Sequence, residues 1–192
     1  MKREGPYWTF ILMGVCVIAF IIQQITPLWI YLAFFPAFAL SMPWMFVTSI
    51  FLHADITHLM LNMLALFFFG ITLEGIIGRS RFLTLFLASG IVGNMGYMLT
   101  ATNPMIPAIG ASGAVYGIIG TVAVLMPFRL VYIYGMLPVP MVVAAAMWAF
   151  IDITGLFMPT GIAHGAHLAG MVVGIIYGFY IRSLVKKRRR SF

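Results

Sequence analysis

The chain has 192 residues, 63% hydrophobic and 8% charged, with a mean hydropathy of +1.08, and a water-soluble domain of this size and composition would aggregate. A spanning helix takes roughly 20 residues, so the length admits at most about six or seven spans joined by short loops. The net charge of +7 would suggest nucleic acid as a partner in a soluble protein. Here Lys186, Lys187, Arg188, Arg189 and Arg190 directly follow an apolar segment and read as a cytoplasmic anchor against anionic lipid.

The first apolar stretch, residues 8–25, carries the single cysteine, Cys16, so there is no disulfide framework. No cleavage-site pattern follows it, so it is expected to remain as a span. Residues 27–55 are tempting as a further crossing, but Pro36 and Pro43 interrupt them. Their aromatics, among them Trp29, Phe34, Phe35 and Trp44, suit a long first loop in the outer interface. Further spans are expected over residues 58–77, 82–99, 112–126, 140–157 and 165–184, separated by Pro, Gly, Asn or charge. Lys2 and Arg3 precede the first span, Arg79 and Arg81 follow the second, Arg129 follows the fourth, and the other basic residues end the sixth. All therefore fall on one side, which the positive-inside rule makes cytoplasmic. The expectation is an all-α, multi-pass bundle of six transmembrane helices, one membrane domain over residues 1–192, in the cell membrane with both termini cytoplasmic.

Polar groups inside spans are costly, so each is a functional candidate. Counting back from the cytoplasmic ends at 1.5 Å per residue places Ser112, His167 and Asn62 roughly 21 to 23 Å up. In a hydrocarbon core of about 30 Å that is one shared level, on the order of 10 Å below the outer surface. A helix beginning that deep leaves its first N–H groups to protein or to a water-filled cavity, which hydrolysis in a membrane requires. His167, Gly170, Gly174 and Gly178 form one stripe, and Ser112 sits among Gly110, Ala111, Gly113 and Gly117. Two such surfaces allow the close backbone approach that a Ser to His hydrogen bond needs.

His58 and Asn62, four apart on one helical face, offer donors for a developing oxyanion, or an interhelical hydrogen bond. Asp55 and Thr57 suit the helix cap. His53 and His164 are expected as solvated rim residues. Asp152 is expected to serve loop or helix-end donors rather than to complete a triad, because no face argument links it to His167. Glu74 is expected to pair with Arg79 or Arg81, or to cap loop amides.

These residues resemble the rhomboid family of intramembrane serine proteases. The resemblance rests on Gly110-Ala111-Ser112-Gly113, on Ala166-His167 followed by Gly170 and Gly174, on His58 with Asn62, and on Gly70, Glu74 and Gly78. It covers roughly residues 44–179. It implies Ser112 as nucleophile and His167 as general base without an essential acid, and an oxyanion hole of the Ser112 backbone N–H with His58 and Asn62. It also implies Tyr116 packed against the base, a gate formed by the fifth helix and a capping loop, and no cofactor or metal. The implied partners are single-span transmembrane substrates cut near small residues, and the bilayer. The family's first loop often carries Trp-Arg where this chain has Trp44-Met45, and the lack of a soluble extension implies a minimal, prokaryotic-type member. The competing readings are a non-catalytic helix-binding relative, which would usually lack the Ser or the His, and a metal site or transporter built on the four histidines, for which the sequence offers no carboxylate neighbour.

Overall fold

A computed structural model of the chain describes residues 5–133, 135–158 and 160–190, with side chains as far as residue 187. The basic residues Lys2, Arg3 and the side chains of Arg188 to Arg190 therefore lie outside what is described. Helix α1 (Trp8–Ile25) matches the first expected span. Residues 27–55 form no long helix. They hold two single-turn helices, α2 (Trp29–Leu32) and α3 (Met45–Thr48), with 3-10 turns at Pro36–Phe38 and Ser49–Phe51.

The second apolar segment begins with α4 (Ile56–Ala65), where the Asp55 carboxylate accepts from the His58 N–H at 2.8 Å, the expected cap. It widens into a π-helical turn at Leu66–Gly70 and finishes as α5 (Ile71–Ile77). The wide turn rotates the face of α5 relative to that of α4. Glu74 consequently meets the start of α1 and accepts from the backbone N–H groups of Tyr7, Trp8 and Thr9 at 2.8 to 2.9 Å, and from the Thr9 hydroxyl at 2.7 Å. Glu74 thus caps amides, one of the roles expected of it, here at the start of a distant helix.

Gly78, at φ +85°, reverses the chain in one residue, so α6 (Arg79–Thr100) starts earlier than expected and takes Arg79 and Arg81 into its first turn. After α7 (Ser112–Leu125) comes a feature the sequence reading missed: a β-hairpin of β1 (Leu130–Ile133) and β2 (Leu137–Pro140), so the chain is not strictly all-α. Its strands alternate exposed with partly buried positions along β1, too short a run to stand out against apolar neighbours. Helix α8 (Met141–Gly155) follows, and α9 (His164–Arg190) runs on through the basic residues.

Among the described residues, four segments are long and apolar enough to cross a membrane: Trp8–Ile25, Ile56–Ile77, Arg79–Thr100 and His164–Lys187. At 14 and 15 residues, α7 and α8 are apolar but shorter. Helix α7 is the axis of the molecule, buried along most of its length and packed chiefly against α9 and α6. That contact depends on glycine. A Cβ on Gly170 would collide with the Gly113 carbonyl, and one on Gly174 with the Gly117 carbonyl, so the two backbones approach as closely as small-residue packing permits. The Thr121 hydroxyl lies 2.9 Å from both the Gly117 and Gly174 carbonyls, adding a polar tie between α7 and α9.

The first loop is fixed without the Arg that rhomboids often carry there. Met45 is buried with Phe34, Ala39 and Ala108 in a separate apolar cluster. Asn94 of α6 donates to the Phe46 carbonyl and the Ser49 hydroxyl, both at 2.9 Å. Phe34 and Ala108 exchange backbone hydrogen bonds, and the Gly110 N–H donates to the Ser49 carbonyl at 2.9 Å. The first loop thereby braces the segment that leads into Ser112.

Candidate active site

Ser112 is the first residue of α7 and His167 lies one turn into α9. The glycine contact between these helices brings Ser112 Oγ to 2.9 Å from His167 Nε2. The Tyr116 ring, one turn beyond Ser112, stacks on the imidazole with centroids 4.3 Å apart and planes 13° apart. The imidazole is therefore held on one face by an aromatic ring and at its Nε2 edge by the serine.

Its other edge corrects the sequence reading. Asp152, in the last turns of α8, places Oδ1 2.8 Å from His167 Nδ1. The same oxygen lies 2.6 Å from Nδ1 of His164, whose Nε2 is 2.6 Å from the Thr160 hydroxyl. His164 is thus buried in the structure, at 6% exposure, rather than solvated at the rim. Gly155 is what admits it, since a Cβ there would strike the His164 ring. Only α8 packing beside α9 joins Asp152 to the histidines. The one signal in the sequence was the pair His164 and His167, three apart and so on one helical face.

The contacts are satisfied together by the following proton arrangement. Both histidines donate from Nδ1 to Asp152, His167 accepts the Ser112 proton at Nε2, and His164 accepts from Thr160. Asp152 Oδ2 is buried without a hydrogen-bond partner among the described residues. The Tyr116 side chain neighbours this carboxylate but makes no hydrogen bond to Oδ2. Asp152, His164 and His167 also offer three ligand atoms within 4.8 Å of one another, so the carboxylate neighbour that the histidines lack in the sequence is supplied by the fold.

On the opposite side of Ser112, the Cε1 and Nε2 edge of His58 faces Gly110 so closely that a Cβ there would lie 2.7 and 2.8 Å from those atoms. Gly110 also has φ +124°, so conformation and space both demand glycine. Asn62 is buried and donates to the His58 carbonyl at 2.9 Å, which occupies one of its two amide hydrogens. His53, expected at the solvated rim, is instead fully buried. Its backbone exchanges hydrogen bonds with the Gln23 side chain at 3.0 and 3.2 Å, and its ring packs edge-on to that of His58 with centroids 5.1 Å apart. Burial, and then the neighbouring His58, pushes its pKa down to about 4, so it is neutral near pH 7.

Comparison with known proteins gives three findings. Residues 40–184 match the Rhomboid domain family model. "Putative rhomboid protease YdcA" of Bacillus subtilis is 33% identical over 150 residues, covering 77% of this chain and 70% of that protein. "Rhomboid protein 1, mitochondrial" of Saccharomyces cerevisiae is 33% identical over 154 residues, 75% of this chain and 43% of its own length. The chain therefore spans less than half of the yeast relative.

Proposed function

This chain belongs to the rhomboid family, and from that membership we propose that it is an intramembrane serine endopeptidase acting through Ser112 and His167. The observation that carries the reading is the 2.9 Å contact between Ser112 Oγ and His167 Nε2, within the range of a nucleophile and its general base. His167 takes the Ser112 proton as Oγ attacks the scissile carbonyl. The Ser112 N–H, His58 and the free amide hydrogen of Asn62 meet the oxyanion. His167 then passes its proton to the leaving amine, and water, activated by the same imidazole, releases the acyl enzyme.

Asp152 acts as a positioning residue. By accepting from Nδ1 it keeps the lone pair of His167 at Nε2 and stabilises the imidazolium that forms on attack. Nothing in this scheme calls for a metal or a cofactor.

The membrane arrangement belongs to the same proposal. Helices α7 and α8, at 1.5 Å per residue, reach roughly 21 to 23 Å, short of a core of about 30 Å. They cross only if Ser112 opens α7 below the outer surface, in a cavity that water enters. With these two helices the chain has six spans, and Arg79, Arg81, Arg129 and the basic end of α9 share the cytoplasmic side. Substrates are single-span proteins of the cell membrane, cut in or near the outer half of their transmembrane segment. The test is cleavage of a fluorescent single-span substrate in liposomes by wild type, Ser112→Ala and His167→Ala, each with a chelator present. Loss in both variants with wild-type activity that persists under the chelator supports the proposal. Activity surviving Ser112→Ala overturns it, and wild-type silence across several substrates favours the helix-binding alternative.

A further inference from the structure

We propose that Asp152, His164 and His167 form a binding site for a divalent transition metal of the Zn2+ class, and that a bound ion silences the protease. The silencing rests on the function proposed above; the binding does not.

The donor set comes first. Nδ1 of His164, Nδ1 of His167 and the Asp152 carboxylate lie within 4.8 Å of one another. A tetrahedral ion with bonds of about 2.0 to 2.2 Å holds its ligands about 3.3 to 3.6 Å apart. The present 2.6 and 2.8 Å contacts would therefore open by roughly 0.5 to 1 Å. Two imidazoles and one carboxylate suit Zn2+, Co2+ or Cu2+, whereas Mg2+ and Ca2+ prefer oxygen ligands.

An independent observation concerns Asp152 itself, which is 2% exposed while its Oδ2 has no hydrogen-bond partner among the described residues. A carboxylate oxygen buried without a partner is costly. It is also a free ligand atom, while the two Nδ1–H···Oδ1 hydrogen bonds are exchanged for coordination of the ion by Nδ1.

The silencing follows from the tautomer. Without metal, the ring proton of His167 sits on Nδ1 and the Nε2 lone pair faces Ser112. An ion on Nδ1 uses the lone pair there, so the single proton of the neutral ring must sit on Nε2. His167 then donates to Ser112 and has nothing left to accept its proton. Each ring keeps one proton, relocated from Nδ1 to Nε2, and the carboxylate offsets one of the ion's two charges.

The experiment separates binding from activity. Full-length Ser112→Ala protein in detergent keeps all three donors and is titrated with Co2+, read by its visible ligand-field absorption, with Zn2+ and Mg2+ as competitors. One equivalent of tetrahedral-type signal, displaced by Zn2+ and not by Mg2+, is expected. Adding His164→Asn or Asp152→Asn should weaken binding about 10-fold or more, with thermal unfolding of each variant confirming that it is folded. In active protein Zn2+ should inhibit over the range in which it displaces Co2+, and a chelator should restore the rate. His164→Asn, compared with its own metal-free rate, should need about 10-fold more Zn2+. No Co2+ signal, or a signal unchanged in folded His164→Asn and Asp152→Asn, overturns the site. Binding in a protein that cleaves nothing supports the site and overturns the silencing.

Discussion

The Tyr116 ring lies 4.3 Å from that of His167 and within 13° of parallel to it, so the orientation of this imidazole is set by the same helix that carries Ser112. Stacking of this kind contributes about 0.5 to 1.5 kcal/mol beyond the area buried. Tyr116→Phe keeps the ring and should retain most of the activity. Tyr116→Ala frees the imidazole and should lower kcat about 10-fold, the upper end of that energy expressed as a rate. Steady-state kinetics on one substrate check this, and equal losses in the two variants would move the role from the ring to the hydroxyl.

Asp152 and His167 make the second test. Asparagine at 152 can present its amide N–H to Nδ1, which favours the tautomer with the proton on Nε2. Asp152→Asn should therefore lower kcat on the order of 100-fold or more, with little change in KM. Wild-type kcat in folded Asp152→Asn would return the chemistry to Ser112 and His167 alone.

The contact between α7 and α9 predicts a stability effect. A methyl group on Gly174 meets the Gly117 carbonyl, a backbone atom that cannot rotate away. Gly174→Ala should destabilise by about 1 to 3 kcal/mol and should lower activity by separating Ser112 from His167. Gly75→Ala is the control, since its Cβ would meet nothing within 4 Å and a helical Gly→Ala change should be neutral or stabilising by up to about 1 kcal/mol. Thermal unfolding in detergent compares the two.

Glu74 and the start of α1 form a unit remote from the chemistry. Glu74→Gln leaves one acceptor oxygen for four donors and should cost about 1 to 3 kcal/mol. The rate per folded enzyme at low temperature should stay at the wild-type value. A large fall in kcat without a fall in unfolding temperature would show that the cap acts on the site.

What was legible in the sequence was periodic or compositional. The apolar segments, the glycine stripe of Gly170, Gly174 and Gly178, the Asp55 cap and the nearness of Ser112 to His167 all rest on spacing along one helix or on counted helix length, and the chain carries that information directly. His53, His164 and Asp152 were misread for a common reason. Their roles depend on what a different segment places beside them: Gln23 and His58 for His53, Gly155 and Thr160 for His164, and the approach of α8 to α9 for Asp152. The sequence alone determined that this is a membrane protein with a serine and a histidine at one level on glycine-lined helices, because hydrophobicity and helical period are local. Only the tertiary structure decided that one carboxylate joins two imidazoles, because the lateral order and rotation of packed helices are set by contacts across the bundle, and in an apolar chain both faces of α8 read alike.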